Sequence, residues 1–415
     1  MELRAGYKLT EVGIIPDNWN VCEFGDLVNY IKGFPFKSAD YTDDGVRIVR
    51  VSDTSYDSIQ DSGVIYISER SAKSYKKWEL REYDLVFSTV GSKPPMYDSL
   101  VGKAILVSKN HIGCLLNQNA VLIREKSLSP DLQKLLLNHF RTVRYIDFIE
   151  VIYRGNANQA SITLEDLFKF KIPLPTTKTE QIAISAALSD ADALIYALQK
   201  LIAKKRQIKQ GAMQTLLTPL ENGVLKAGWV RMKLGDVCNP SKSRFNPILS
   251  NISHKCVELE HIAQGTGMLL GCIESREQLS QKAVFQKGDI LFGKLRPYLR
   301  KFLHAHFDGV CSTEIWVLKP EKGVKNEWLY YLIQLNSVVE AANQSTGTKM
   351  PRAEWSTVKN VEVFVPTSEK EQSRIATILS DMDQDIAALE SKLAKYQQIK
   401  QGMMQNLLTG RIRLV

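Results

Sequence analysis

The chain has 415 residues, too many for one ordinary domain, since domains usually hold about 100 to 200 residues. Hydrophobic residues make up 44% and charged residues 24%, a globular composition that excludes wholesale disorder and fibrous repeats. Lysine and arginine exceed aspartate and glutamate by 54 to 45, a net charge of +9, which permits a polyanionic partner without demonstrating one.

The chain is expected to be cytoplasmic. Its sequence has no apolar run near the roughly 18 to 20 residues that span a bilayer, and its first residues lack the apolar stretch of a signal peptide. The six cysteines are scattered without the spacing of a zinc site and are predicted to be reduced thiols. His304 and His306 are close in sequence, but two ligands without a third favour ordinary histidines over a metal site.

Residues 1–177 are predicted to form a first globular α/β domain. A tryptophan leads into a Gly-Asp turn at 19–26, and short alternating strands follow at 46–51 and 64–67. Further along come strands at 82–87 and 120–123, a helix that opens at 129–131 and a strand that ends in proline at 171–175. The 22 basic and 22 acidic side chains of this segment cancel, so its charge gives no argument for nucleic acid.

Residues 178–218 are predicted to form one long helix, which begins after a proline and a capping box of Thr177 with Glu180. Its apolar positions alternate in steps of four and three, a heptad seam suited to pairing with another helix. The seam residues are Ile184, Leu188, Ala191, Ile195, Leu198 and Ile202. At about 1.5 Å per residue, residues 178–216 alone would span about 58 Å, so packing flat on its own domain is the less favoured alternative.

The second half of the chain repeats the first. Residues 219–368 are predicted to form a second α/β domain, residues 369–409 a second long helix and residues 410–415 a short tail. The segments that begin at Pro175 and Pro366 align without a gap over 44 residues with more than half of the positions identical, which indicates a tandem duplication. The second helix has a capping box of Ser368 with Glu371. Its seam residues are Ile375, Leu379, Met382, Ile386, Leu389, Leu393 and Tyr396.

These elements predict a mixed α/β protein with two tandem-repeated globular domains joined by two long antiparallel coiled-coil helices. Two equal helices paired antiparallel are related by a rotation near 180°, so we expect a pseudo-two-fold axis. Residues 217–368 carry 19 basic and 14 acidic side chains, so a polyanion would meet more positive charge there than in the first domain.

Four motifs carry a family resemblance. They are GDILFGKLRPYLRK at 288–301, DGVCSTEIWVLKP at 308–320, the Ile-Pro-Leu-Pro exit at 172–175 and the matching IKQG and LLT endings of both long helices. With the tryptophan-to-Gly-Asp openings, this layout resembles the specificity subunit of type I restriction-modification enzymes over essentially the whole chain. The first globular segment resembles the family least.

The resemblance implies a subunit that catalyses nothing itself. Two target recognition domains would each read half of a split, asymmetric site in double-stranded DNA. The long helices would set their separation and dock two methyltransferase subunits, and restriction and translocase subunits would join the larger complex. S-adenosylmethionine, ATP and magnesium would belong to those partners. In agreement, the sequence lacks a GxxxxGK[ST] phosphate loop and a GxGxxG fingerprint.

The predicted DNA contacts of the second domain lie in loops shaped by glycine and proline. Arginine, asparagine and glutamine supply bidentate groups for base edges, while lysine, serine, threonine and tyrosine mostly hold phosphates. The first loop offers Lys294, Arg296, Tyr298, Arg300 and Lys301, and the second offers Thr348, Lys349 and Arg352. A solvated basic turn is the alternative for both loops.

The counterparts in the first domain are rich in amides rather than in cations. They are Ser92, Lys93, Asn117, Gln118, Asn119, Arg154, Asn156, Asn158 and Gln159. The densest cationic cluster there is 73–78, which fits a solvated helix face as well as a phosphate site. The alternative function for the whole chain is a helical scaffold with two protein-binding heads and no DNA role, which the salt dependence of duplex binding would separate from a DNA reader.

Overall fold

The computed structural model describes residues 5–55, 57–94, 96–156, 159–344 and 350–414. It divides into unit 1, Met1–Leu198 with Lys392–Val415, and unit 2, Gln199–Ser391. The predicted mixed α/β class is confirmed. Each unit holds one globular head together with part of each long helix.

The first head precedes the first long helix. In chain order its strands are β1 (Tyr7–Thr10), β2 (Gly13–Pro16), β3 (Trp19–Glu23), β4 (Val28–Lys32), β5 (Tyr41–Thr42), β6 (Val46–Val49), β7 (Ile65–Ile67), β8 (Leu85–Ser88), β9 (Val90–Gly91), β10 (Ala104–Leu106), β11 (Leu115–Leu116), β12 (Ala120–Glu125), β13 (Arg154–Asn156), β14 (Gln159–Ser161) and β15 (Lys171–Pro175). The helices are α1 (Phe24–Leu27), α2 (Glu69–Ala72), α3 (Pro130–His139), α4 (Val143–Ile152), α5 (Leu164–Phe168) and the long helix α6 (Lys178–Leu217).

The second head lies between the two long helices. Its strands are β16 (Leu220–Glu221), β17 (Val224–Leu225), β18 (Trp229–Lys233), β19 (Cys238–Pro240), β20 (Arg244–Phe245), β21 (Lys255–Val257), β22 (Ile273–Glu274), β23 (Lys282–Phe285), β24 (Ile290–Gly293), β25 (Phe302–His304), β26 (Gly309–Ser312), β27 (Ile315–Pro320) and β28 (Glu362–Pro366). The helices are α7 (Asn326–Leu332), α8 (Asn336–Asn343), α9 (Trp355–Val358) and the long helix α10 (Glu369–Leu407).

The duplication extends from the long helices through both heads. The central sheet of the first head has the strand order β10-β8-β12-β4, and that of the second has the matching order β25-β24-β27-β19. Each head also has a parallel pair in its other sheet, β11 with β6 and β26 with β21. The entry and exit strands pair in the same register, with Trp19 opposite Pro175 and Trp229 opposite Pro366.

The ends of the long helices complete the cores of the heads. In unit 1, Ile184 and Leu188 of α6 are buried in one cluster with Leu407, the last residue of α10, and with Leu408, which follows it. In unit 2, Ile375 and Leu379 of α10 are buried in one cluster with Leu217 of α6. Burying such side chains contributes about 1.5 to 3 kcal/mol each, so each head is stabilised by both helices.

Duplicated ion pairs tie the two long helices together. Lys400 Nζ lies 2.5 Å from Asp192 Oδ1 in unit 1, and Lys209 Nζ lies 2.5 Å from Asp383 Oδ1 in unit 2. The residues of the second pair are the counterparts of the first at the 191-residue offset. Within each unit, numbers rise along one helix as they fall along the other, so the helices are antiparallel.

The predicted seam faces inward along both helices. Buried seam residues are Ile184, Leu188, Leu198, Ile202, Ile375, Leu379 and Ile386, and half-buried ones are Ala191, Ile195, Met382, Leu389, Leu393 and Tyr396. A narrow inward stripe of this kind is what a paired helix requires.

Among the described residues, α6 contains a window of 18 residues with a mean hydropathy of 1.2, which meets the length and composition of a membrane span. Part of this hydropathy comes from the residues that α6 gives to the core of the first head. The same helix also carries Asp192, Lys205, Arg206 and Lys209, each ion-paired with α10, as expected for helices paired in water.

The predicted capping box of α6 differs from the structure in its second half. The Glu180 N–H donates to Thr177 Oγ1 at 3.4 Å, as a capping box requires. The Glu180 carboxylate, however, is 1% exposed and accepts hydrogen bonds from Trp19 Nε1 at 3.2 Å and from the guanidinium of Arg413. The glutamate therefore ties the chain's tail to its first head, a role that local spacing did not predict.

Candidate nucleic-acid interface

In the second head, the predicted basic loop after β24 meets the turn before β27 at one end of the central sheet. Strand β24 ends at Gly293 opposite Ile315, the first residue of β27. The segment that follows β24 and the turn that precedes β27 therefore lie side by side. The Lys294 N–H donates to the Glu314 carbonyl at 2.9 Å and joins them.

The predicted basic turn around Arg352 lies at the same edge. Leu295 and Arg352 form an antiparallel bridge. The Arg296 N–H donates to the Pro351 carbonyl at 2.7 Å, and the Ala353 N–H donates to the Lys294 carbonyl at 2.7 Å. The structure thus brings both predicted segments into one cluster; Thr348 and Lys349 lie outside the described residues.

A strained turn shapes the loop after β24. Residues Pro297–Leu299 form a 3-10 turn, and Arg296 and Arg300 at its two ends have left-handed backbones with φ near +51° and +50°. Such conformations cost a non-glycine residue about 1 to 3 kcal/mol. The Arg300 guanidinium stabilises the turn by donating to the Gln334 carbonyl at 3.1 Å and to Asn336 Oδ1 at 2.6 Å.

The side chains of this loop divide into outward and inward groups. Arg296 is exposed, and Tyr298 is 51% exposed. Lys294, Arg300 and Lys301 are half-buried, and Lys301 Nζ donates to the Leu259 carbonyl at 2.7 Å. Arg300 and Lys301 therefore have structural partners, which leaves Arg296 and Tyr298 as the most accessible predicted contacts.

The first head builds its edge in the same way. Ser88 at the end of β8 lies opposite Ala120 at the start of β12, and the Thr89 N–H donates to the Asn119 carbonyl at 3.1 Å. The hairpin of β13 and β14 joins the edge through β9, with Ala160 opposite Gly91. The three segments predicted from the sequence, two of which are amide-rich, are thus brought together.

The predicted side chains of the first head also divide. Ser92 is buried and accepts from Ser99 Oγ at 2.9 Å, and Asn117 is buried and accepts from the Gln118 N–H at 2.7 Å. Exposed positions are Lys93, Gln118, Asn119, Arg154, Asn156 and Gln159; Asn158 lies outside the described residues. The buried side chains of Ser92 and Asn117 bond within the turns, so the exposed side chains remain as the predicted DNA contacts.

Glycines allow two close backbone approaches at this edge. A Cβ on Gly33 would lie 1.9 Å from the Asn117 carbonyl oxygen, and one on Gly91 would lie 2.3 Å from the Ser99 carbonyl oxygen. Real Cβ atoms do not come this close to backbone. The two glycines therefore let the 117–119 turn and strand β9 take their places.

The structure adds two groups of cations to these edges. The sequence left the role of the 73–78 segment open and did not single out Lys242 or Arg244. The rings of Phe34 and Trp78 lie 4.6 Å apart, and the Gln118 N–H donates to the Phe34 carbonyl at 3.0 Å. The 73–78 segment, with three exposed lysines, thus packs beside the first edge. In the second head, exposed Lys242 and Arg244 line an open cleft of about 510 Å³ together with Lys294.

Burial shifts the pKa values of several cysteines and of one histidine in the second head. Burial raises the pKa of Cys238 and of Cys256 to about 12, so these thiols stay protonated near neutral pH. Burial, followed by the nearby His306, lowers the pKa of His304. Among the described residues, no group of three or more histidine, cysteine, aspartate or glutamate side chains could hold a metal ion.

Comparison with known families decides the assignment. The family model described as "Type I restriction modification DNA specificity domain" matches residues 16–210 and again residues 226–401. The chain belongs to this family. The resemblance predicted from the motifs is confirmed, and the two matches coincide with the two repeats.

Individual relatives agree over nearly the full length. The putative type I restriction enzyme MjaX specificity subunit of Methanocaldococcus jannaschii is 24% identical, covering 98% of this chain and 97% of the relative. The crystal structure of a type I restriction-modification S subunit from M. genitalium matches with a TM-score of 0.60 at 17% identity, covering 96% of this chain and 97% of that one. A chain from a study of complex assembly in the type I R-M system matches with a TM-score of 0.50 at 16% identity, with 96% and 99% covered.

Proposed function

We propose that this type I specificity subunit binds a bipartite, asymmetric site in double-stranded DNA, one half-site per head. The target recognition domains are assigned to residues 1–177 and 219–368. The observation that carries the proposal is the equivalent edge of each head, where segments from separate parts of the chain converge and expose amide or cationic side chains. Such clusters supply the bidentate groups that base reading needs.

Base reading and phosphate binding are assigned to different side chains. In the second head, Arg296 is the main candidate for a base edge, because its guanidinium can bond guanine O6 and N7 together. In the first head, Gln118 and Asn119 are the candidates, since an amide matches adenine N6 and N7. Exposed lysines of the 73–78 segment, together with Lys242 and Arg244, would hold phosphates.

The partners proposed for this chain are those of its family. Two methyltransferase subunits would dock on the complex, with restriction and translocase subunits joining it. S-adenosylmethionine, ATP and magnesium would be bound by those subunits, and this chain would itself be non-catalytic. We propose a cytoplasmic location, where the complex can reach DNA.

The salt dependence of binding tests the DNA role directly. The logarithm of the full chain's affinity for duplex DNA should fall linearly with the logarithm of salt concentration, by about 0.9 per neutralised phosphate. Replacing both Lys242 and Arg244 with alanine should make that slope shallower by about 2. The matched control is Lys322→Ala, an exposed lysine beyond the opposite end of β27. Affinity that does not change with salt would contradict DNA binding and favour a protein-binding scaffold.

A further inference from the structure

One carboxylate lies within the predicted DNA-binding edge of the second head. Glu314 occupies the turn before β27, and its Oε1 accepts a hydrogen bond from Arg352 Nη2 at 2.7 Å. The Glu314 side chain is 25% exposed, whereas that of Arg352 is 54% exposed. Glu314 Oε2 is shielded from solvent and has no hydrogen-bond partner within the described part of the chain.

A carboxylate is costly at this place. It loses hydration on burial, and it would repel the phosphates of any DNA bound at the edge. Its backbone is nevertheless fixed: the Glu314 carbonyl accepts from the Lys294 N–H at 2.9 Å, and the Glu314 N–H donates to Ser312 Oγ at 3.3 Å. A fixed, inward carboxylate beneath an exposed guanidinium is an arrangement that can orient the guanidinium.

We infer that Glu314 is a positioning residue that holds Arg352 for recognition of a guanine in the second half-site; this inference rests on the proposed DNA-reading function. An arginine has five N–H donors in a rigid fork, and one bond to Glu314 leaves donors free for guanine O6 and N7. The antiparallel bridge between Leu295 and Arg352 fixes the other end of the side chain. Glu314 thus reduces the freedom that Arg352 would lose on binding a base.

The first head lacks this pair at the equivalent positions. Ser161 lies opposite Val90 as Arg352 lies opposite Leu295, each two residues beyond its central strand. Asn119 corresponds to Glu314, because each directly precedes its strand and accepts the equivalent backbone hydrogen bond. A guanine preference that depends on Glu314 and Arg352 is therefore expected in the second half-site alone.

The test selects bound sequences from a random duplex pool with the full chain and its variants. Glu314→Gln keeps the side chain's shape but removes its charge, and Arg352→Lys keeps the charge but removes the planar fork. Glu277→Gln, an exposed glutamate of the same head, is the matched control. Binding to non-specific duplex and the melting temperature are measured for each variant.

Glu314→Gln should lower the preference for guanine at one position by about tenfold while tightening binding to non-specific duplex, because a negative charge leaves the DNA-facing edge. Arg352→Lys should lower the same preference with little change in non-specific binding. The double variant should lose no more guanine preference than either single variant, because both substitutions disable the same contact between Arg352 and the base.

Three outcomes would overturn the inference. Unchanged base preferences in Glu314→Gln would show that Glu314 does not position Arg352 for base recognition. Equal weakening for all sequences would make Arg352 a phosphate contact. A lower melting temperature with preferences intact would make the pair structural only. Failure of the wild-type chain to bind duplex in a salt-dependent way would instead contradict the proposed function, so the two failures are distinguishable.

Discussion

The two heads share one structural frame but differ at the edge that would meet DNA. In both, the central sheet has the same strand order and the entry tryptophan lies opposite the exit proline. A lysine that bonds to a backbone carbonyl also recurs: the buried Lys103 donates from Nζ to the Thr54 carbonyl at 2.5 Å, and the half-buried Lys301 donates from Nζ to the Leu259 carbonyl at 2.7 Å. The first edge then presents four exposed amides beside Lys93 and Arg154, whereas the second presents Arg296 and Arg352.

This difference separates two kinds of residue. Positions of the frame were kept in both copies because both heads need the same sheet and the same tie to the helices. The edge positions differ between the copies, as expected if each head reads a different sequence without disturbing its core. A change to the long helices or to a contact that both copies share should therefore alter the spacing of the half-sites or the stability of both heads. A change confined to one head should alter the stability or the base preference of that head alone.

The largest expected effect comes from lengthening the shared helices. Inserting four residues after Ala197, with a matched insertion after Ala388 of α10, should add about 6 Å to the helix pair. Because base pairs are stacked about 3.4 Å apart, the spacer between the half-sites should lengthen by about two base pairs while both half-sites keep their sequence.

Methylation mapping in cells with the cognate partner subunits measures this effect. Loss of the original sites and appearance of a longer spacer would support the helices as the determinant of spacing. Methylation at the original spacing, with the inserted chain folded, would contradict it.

A smaller effect should be confined to the first head at acid pH. Burial lowers the pKa of His139 from its ordinary 6.5 to about 3, with Arg144 adding to the shift. Between these values the unfolded chain binds a proton that the folded head does not, so stability falls as pH falls. The free energy of unfolding of unit 1 should drop by about 2 kcal/mol from pH 7 to pH 5 through this group.

Denaturant titration at both pH values checks this dependence. His139→Gln should be less stable at pH 7 but should lose about 2 kcal/mol less on acidification, because glutamine does not titrate. An unchanged pH slope in this variant would show that His139 is not the acid-sensitive group.

The smallest effect should be nearly equal in the two units. Lys400→Met and Lys209→Met each remove the cation from a duplicated, partly buried ion pair and should each lower the free energy of unfolding by about 1 to 2 kcal/mol. The controls are Lys395→Met and Lys204→Met, exposed lysines at matching positions of the two helices, which should have little effect. A loss in only one of the two pairs would show that the copies no longer share this part of the frame.

The sequence predicted the frame better than the edges. Heptad spacing identified both helices because the period of an apolar stripe is a local property. The sequence also pointed to the loop after β24, the turn around Arg352 and the three segments of the first edge, but it did not single out the 312–314 turn, Lys242 or Arg244. Strand registers such as Trp19 with Pro175 are long-range contacts, and only the structure supplied them.

Side-chain direction within the turns could not be predicted. Asn117 and Asn119 are two residues apart in one amide-rich turn, yet Asn117 is buried and Asn119 is exposed. Glu180 matched a capping-box spacing, but its carboxylate bonds to Arg413, more than 200 residues away in sequence. Both residues also contact segments distant in sequence, since the Asn117 N–H donates to the Val49 carbonyl at 2.9 Å, and local spacing does not predict such contacts.

Methylation mapping of the wild type and of one variant in each head, with the cognate partners present, tests the central claim most directly. We predict a two-part modified motif for the wild type. Asn119→Ala should relax one position in one half of that motif, and Arg296→Ala should relax one position in the other half. An undivided motif, or relaxation in the same half by both variants, would contradict the claim that each head reads its own half-site.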